Sequence, residues 1–427
     1  MFNPPSPVLA SKRFLPILLL TTFIVFLFLL HSVSSGGAVY GIPQAVGFGE
    51  SVRNGAGGGK SQSAQKQNPF PQGQLKNQGS EFEPRPLYKP GVTKPPGSNY
   101  TRTLVIPKMK HEDDSWIATE LPDVEAAVYV VNDPDAPLHP PRNKGHEVMV
   151  YLSFIIDNYE DLPDVMIFMH AHQHSWHNEE VFDFDAAEMI RRLSSERITR
   201  EGYMNMRCGW GPGCPDWMHP GNVEQDVNKQ EETMIAKSWS EIFPLDPIPQ
   251  VLAQPCCAQF AISRDRALAN PKSRYVYYRD WLLRTELTDY ISGRIWEYLW
   301  HVIFTGEPVF CPNQACCYCD AYGLCFGGDE QLENFFGMRN EINDRNDELN
   351  AWRDKAAAIE RAQRKGRFDE AARLEIPEPG RDQVLMAEVE EKQELLGTLR
   401  AEALKRGENP RNRALECGRP WKQGDGF

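Results

Sequence analysis

The sequence predicts an α/β domain, a mostly parallel sheet with helices on both faces, followed by a C-terminal helical hairpin. Three groups of residues carry that expectation. AAVYVVN (126–132), HEVMVYLSFIIDNYEDL (146–162) and DVMIFMHAH (164–172) read as strand, helix and strand, the order of a βαβ unit with parallel strands. CCAQFAIS (256–263) reads as a further buried strand, and Phe335, Ile342, Leu349 and Ala356 recur every seven residues further on.

Each element has a local reason. The first strand is β-branched and apolar, and the prolines of the following DPDAPLHPP forbid a helix there. In the next run Val148, Tyr151, Leu152, Ile155, Ile156 and Tyr159 share a helical stripe that Pro163 stops. Asp185 to Leu193 reads as a short helix, and the Gly-, Pro- and Trp-containing stretch between it and Cys256 has the character of binding loops. TELTDYISGRIWEYLWHVIF (285–304) has helical spacing through Leu287, Ile291, Ile295, Tyr298, Leu299 and Val302. With a cysteine cluster it closes a domain expected over 105–328. Beyond it, over 329–427, two helical stretches parted by Pro377-Glu378-Pro379-Gly380 form an antiparallel hairpin, which packs on the domain or pairs two chains as a homodimer.

Ahead of the domain, residues 14–30 read FLPILLLTTFIVFLFLL without a charge and follow Lys12 and Arg13. That pattern predicts one N-terminal membrane helix, a signal-anchor over 14–33 with residues 1–13 cytoplasmic. The chain is then a single-pass type II protein of the endoplasmic reticulum or Golgi membrane. The alternative is a signal peptide cleaved after Val33-Ser34-Ser35. Residues 34–104 are rich in Gly, Pro, Ser, Gln and Asn and read as a disordered stem, with the sole glycosylation sequon at Asn99.

The chain holds 46 basic against 59 acidic side chains, a formal charge of -13, and no basic patch, which excludes nucleic acid as a partner. Its ten cysteines suit a disulfide framework in an oxidising lumen. Five crowd into CPNQACCYCDAYGLC, where structural zinc is the alternative.

Chemistry concentrates in MHAHQHSWHNEE, which carries His170, His172, His174 and His177. Positions i and i+2 of a strand share a face, so His170 and His172 are expected to meet on one divalent ion, Mn or Zn, at the carboxyl end of a strand. The alternative is a set of histidines bonded within a loop or stacked on Trp176. Asp183 and Asp185 form a DFD triplet that can contact substrate or ion from a loop, or else favour a helix dipole. Arg264 follows the CCAQFAIS strand, where a guanidinium can grip a phosphate or carboxylate. Glu297 stands four residues before His301 among Trp296 and Trp300, a setting that raises a carboxyl pKa and suits a general base, or a core hydrogen-bond network.

Taken together, NKGHEVMVYLSFIIDNYEDLPDVMIFMHAHQHSWHN, CCAQFAISRDRAL and SGRIWEYLWHVIF, in that order between roughly 125 and 325, resemble a fungal family catalogued as domain of unknown function 3431. More distantly the chain is similar to nucleotide-sugar glycosyltransferases of the GT-A type, whose lumenal members pair a short anchor, a stem and an α/β domain. That resemblance implies a GT-A-like or Rossmann-like sheet, a nucleotide-sugar donor and a glycan acceptor. His170-Ala171-His172 then stands where those enzymes carry a metal-binding acidic triplet, a departure that leaves the ion open. Arg264 is implied on the phosphates and Glu297 as base toward an acceptor hydroxyl. A strand ending in HxH also resembles the start of amidohydrolase metal sites, which implies a zinc-dependent hydrolase. A non-catalytic lumenal scaffold acting through the C-terminal helices is the third expectation.

Overall fold

Three short runs of buried apolar residues, Leu104 to Ile106, Val165 to Phe168 and Phe260 to Ile262, set the frame. The computed structural model describes residues 85–427. In it β1 (Arg102–Lys108) pairs in parallel with β2 (Glu125–Val130) on one side and β3 (Val165–Phe168) on the other. Strand β5 (Phe260–Ser263) runs antiparallel between β3 and β4 (Tyr203–Asn205), giving the order β2-β1-β3-β5-β4 with only β5 reversed. The fold is thus α/β on a mixed, mostly parallel sheet, as the sequence predicts.

Alternation along the strands sends side chains into two cores. Val105, Met166, Phe168, Phe260 and Ile262 join the helices Val148–Asp157, Lys272–Arg284, Asp289–Glu297 and Trp300–Thr305 on one face. Leu104, Ile106, Val165, Ile167 and Ala261 join the helices Ala186–Arg192 and Gln314–Tyr322 on the other. Phe168 is fully buried against Tyr151 and Phe260, each with ring centroids 4.8 Å away, so Phe168→Ala is a cavity change of about 3–5 kcal/mol. Helix Val148–Asp157 is buried at every position from Val148 to Ile156 because it lies between the sheet and helix Lys272–Arg284. It ends at Asn158, whose side chain donates to the Phe154 carbonyl at 2.9 Å, five residues before Pro163.

Three boundaries differ from expectation. The strand expected through His172 stops at Phe168, leaving all four histidines in the following loop. The strand expected from Cys256 begins at Phe260, because Cys256 and Cys257 are joined in a tight cystine. The helix expected over 285–304 breaks at Tyr298 and Leu299, whose amides donate to carbonyls three residues back.

Behind the sheet, helices Asp329–Arg364 and Arg381–Gly407 run antiparallel, tied by Arg381 to Glu348 at 2.8 Å, Arg345 to Glu388 at 2.8 Å and Lys392 to Glu341 at 2.6 Å. The heptad residues Phe335, Ile342 and Leu349 are buried, and Leu332, Phe335 and Ala403 belong to the second sheet core. All ten cysteines pair: Cys208–Cys317, Cys214–Cys311, Cys256–Cys257, Cys316–Cys417 and Cys319–Cys325. The clustered cysteines are therefore bridged rather than presented as zinc thiolates.

Upstream of β1, residues 85–101 lie along the domain. Arg85 pairs with Asp246 at 2.9 Å, the Tyr88 hydroxyl donates to the Ile303 carbonyl, and Lys94 meets Asp164 at 2.7 Å. Asn99 is exposed there, and the hydroxyl of Thr101, third residue of its sequon, bonds Asp164 at 2.9 Å. Residues 224–230 group apart as a turn in which the Asn228 amide donates to the Asp226 carboxylate at 2.8 Å. The anchor expected over 14–33 and the first part of the expected stem lie outside the described residues, among which no helix is long and apolar enough to cross a membrane.

Candidate functional site

Strand order reverses at β1, which has β2 on one side and β3 on the other. The crevice outside the carboxyl ends of strands at such a reversal is where open α/β sheets take ligands. Two residues beyond β3, His170 turns its Nε2 to 3.9 Å from Oε2 of Glu147, and its ring meets that of His177 edge-on at 4.6 Å. His172 points elsewhere, with Nε2 3.6 Å from Oε1 of Glu112 in the loop after β1. Because β3 has ended, strand alternation no longer places the two rings on one face.

Glu147 sits at the start of helix Val148–Asp157, between the Gly145-His146 turn and a buried run that is apolar except for Ser153. It is 7% exposed, and its Oε1 has no hydrogen-bond partner among the described residues. Burial first, then the Glu297 and Asp289 carboxylates, push its pKa well above the usual carboxylate range, against the pull of its own backbone amide. One turn on, the Tyr151 hydroxyl is buried without a partner among the described residues, and burial with Glu147 and Glu297 raises its pKa too. The indole nitrogens of Trp296 and Trp300 share that condition, and the Trp300 ring lies 5.9 Å from that of Tyr151. Native proteins seldom leave so many neighbouring polar atoms unsatisfied, and such groups cluster at functional sites.

The His170 and His177 imidazoles are neutral. Burial, then His146 and His172, bring His170 to about 4; burial, then His170, Arg207 and His172, bring His177 to about 2. His177 also accepts or donates a 2.7 Å bond with Ser175 and lies on Trp176 at 4.2 Å, the loop-bonded arrangement that was the alternative to metal binding. Glu297 ends helix Asp289–Glu297 and is half-buried, with its carbonyl accepting from Gln254 at 2.6 Å. Behind it the fully buried Glu231 takes Arg294 at 2.9 Å and the Tyr298 hydroxyl at 3.2 Å, holding the end of that helix in place. The arrangement can move a proton: a buried carboxyl with a raised pKa, a half-buried carboxyl whose charge reaches it, and a neutral imidazole 3.9 Å from the first.

The structure brings Glu297 close enough to Glu147 to raise its pKa and takes other candidates away. Reversal of β5 carries Arg264 to the opposite rim, where it bonds the Leu162 carbonyl at 2.5 Å and lies 3.8 Å from Asp164. Asp183, at φ +53, turns outward to Arg400 at 3.3 Å, and Asp185 caps helix Ala186–Arg192 through the Ala187 amide at 2.9 Å. The DFD segment is a turn, yet its two acids serve packing and capping.

For a divalent ion, His170 and His172 offer two nitrogens, with Glu147 and Glu112 as the nearest carboxylates. Among the described residues the group of three whose ligand atoms lie within 4.8 Å of one another is Cys319, Cys325 and Glu416, and those sulfurs are joined. Sequence reasoning missed Glu147, Tyr151 and Glu231. The available signal for Glu147 was an acidic residue directly abutting nine apolar-run positions that a helix buries all round.

The family model described as Protein of unknown function (DUF3431) matches residues 104–320. No curated protein and no solved structure matches the chain.

Proposed function

The chain belongs to the DUF3431 family, over a segment that runs from within β1 through β5 and holds both rim carboxylates, and from that premise we propose a glycosyltransferase-like acid–base enzyme acting at the β1/β3 rim. The observation that carries this reading is the pair of Glu147 and Glu297: one carboxyl buried with its pKa raised, the other half-buried, with a neutral His170 beside the first. Two carboxyl groups in unequal surroundings take opposite roles in proton transfer at one pH. Glu297 accepts the proton of an acceptor hydroxyl as that oxygen bonds the anomeric carbon of a nucleotide sugar, and the nucleoside diphosphate leaves with the electrons of the broken C–O bond. Glu147 donates a hydrogen bond toward developing negative charge. His170 and His172 diverge after Phe168, toward Glu147 and Glu112, so as placed they do not fit one shared divalent ion, Mn or Zn.

Five disulfides fit an oxidising compartment, so the domain is read as lumenal, in the endoplasmic reticulum or Golgi, behind the anchor expected over 14–33. The test uses full-length chain in detergent with a panel of nucleotide sugars and Mn or Zn, measuring melting temperature and nucleotide release. At least one donor is expected to raise the melting temperature and be consumed, and Glu297→Gln to slow release about 10²- to 10⁴-fold while keeping the melting shift. A panel that neither stabilises the chain nor turns over rules the donor class out.

A further inference from the structure

Four of the five disulfides span 6 to 109 positions of the chain, and the fifth joins Cys256 to its neighbour Cys257. A long bridge stabilises by restricting the unfolded chain; a bridge between adjacent residues closes no loop and acts only on local backbone. Here it holds Cys257 at φ +82, a region that a residue with a side chain rarely occupies. Cys256 is half-buried and Cys257 6% exposed.

The loop carrying this pair connects the two sides of the rim. On one side Gln254 donates to the Glu297 carbonyl at 2.6 Å. On the other, Gln259 accepts from the His170 amide at 3.1 Å and donates to the His177 carbonyl at 3.2 Å and to Asn178 at 3.0 Å. Asn205, at the end of β4, clasps the carbonyls of Pro255 at 2.8 Å and Cys257 at 3.3 Å. Gly213 packs so closely that a Cβ there would lie 2.0 Å from the Gln254 carbonyl oxygen. Backbone geometry at 256–257 therefore sets how the Gln254 and Gln259 side chains reach their partners.

We propose that Cys256–Cys257 is a thiol–disulfide exchange site whose reaction partner is a dithiol, and that its reduction loosens the loop joining Glu297 to His170. A thiolate of the dithiol attacks the half-buried Cys256 sulfur, forming a mixed disulfide and expelling the Cys257 thiolate, which takes up a proton. The second thiol of the reagent then displaces Cys256, which is protonated in turn. Two electrons pass to the cystine, the dithiol leaves as its own disulfide, and the two protons it loses equal those gained. Cys257 is then at liberty to leave the left-handed region. The proposal stands apart from the reaction assigned to the rim, because its readouts are the sulfurs and the loop.

Full-length chain is titrated with dithiothreitol, free thiols are trapped by alkylation and located by mass spectrometry, and amide hydrogen exchange is followed over 170–178 and 254–259. The 256–257 peptide is expected to gain two labels at a dithiol concentration at least about tenfold below that opening any other bridge. Exchange in both segments is expected to rise with it, and the double variant Cys256→Ser, Cys257→Ser to exchange like the reduced chain. Opening of any other bridge first or together with it, or reduction that leaves 170–178 unchanged, overturns the proposal. If the double variant does not fold, the titration of native chain decides alone.

Discussion

Oε2 of Glu147 lies 3.9 Å from Nε2 of His170 at the exit of β3, while Oε1 of the same carboxyl is buried without a hydrogen-bond partner among the described residues. Loss of hydration there, with the Glu297 and Asp289 carboxylates nearby, raises the pKa at which this carboxyl gives up its proton, against the pull of the residue's own backbone amide.

Stability should report that proton directly. The folded chain holds it above the usual 4.5, so Glu147 adds stability below that value and withdraws it as pH rises through its folded pKa. Glu147→Gln, an isostere of the protonated acid, is expected to melt like wild type near pH 4.5 and higher than wild type at alkaline pH. Parallel melting curves across the range would mean that the carboxyl ionises freely.

His301 gives the opposite pH dependence. It is fully buried, with Nε2 3.0 Å from the Pro308 carbonyl; burial, opposed by that bond and aided by Arg85, lowers its pKa from 6.5 to about 4. Its stability contribution is complete above pH 6.5 and lost as pH falls through 4, on the order of 3 kcal/mol. Urea titrations at pH 7 and pH 4 should show His301→Gln losing less over that interval than wild type.

Asp320 is fully buried on helix Gln314–Tyr322 and binds Arg197 at 3.0 Å, Arg200 at 2.7 Å and Arg419 at 2.7 Å. Asp320→Asn leaves three guanidiniums facing each other, a loss of roughly 3–5 kcal/mol in denaturant melts. Limited trypsin digestion should then cut after Arg413, on helix Pro410–Glu416, faster than in wild type; unchanged cleavage would separate the tail from this cluster.

Two glycines of helix Arg381–Gly407 should respond with opposite signs. A Cβ at Gly407 would lie 1.9 Å from the Gly323 carbonyl oxygen, backbone that cannot give, whereas nothing lies within 4 Å of one at Gly397. Gly407→Ala is expected to lower stability by about 1–3 kcal/mol, and Gly397→Ala to raise it by up to about 1 kcal/mol. Thermal melts of the two variants check both.

Burial pattern was legible where it is continuous. β2, β3, helix Val148–Asp157 and the heptad of Phe335, Ile342 and Leu349 follow from side-chain periodicity, which is a local property. Direction is not local. An apolar run reads alike in both senses, so the reversal of β5, which decides that Arg264 faces the far rim, could not be read from CCAQFAIS. Three-residue β4 is too short for a period to register, and β1, with its polar ends, had no partner in sequence to reveal it. At the site, Glu297 stood out because aromatics flank it, whereas Glu147 is made notable by burial in the folded chain and by Glu297 and Asp289 from distant sequence, and His170 and His172 diverge because the strand ends at Phe168.

The Cys316–Cys417 bridge orders events during synthesis. Cys317 and Cys311 emerge when their partners Cys208 and Cys214 are already made, and Cys325 follows Cys319 by 6 positions. Cys316 alone among the five clustered cysteines must wait for a residue 101 positions later, roughly 5–20 s at ordinary translation rates. Through that interval it is a nucleophile beside freshly formed cystines, so accurate pairing of the nascent chain depends on Cys208 and Cys214 having claimed their mates before the C-terminal helices arrive.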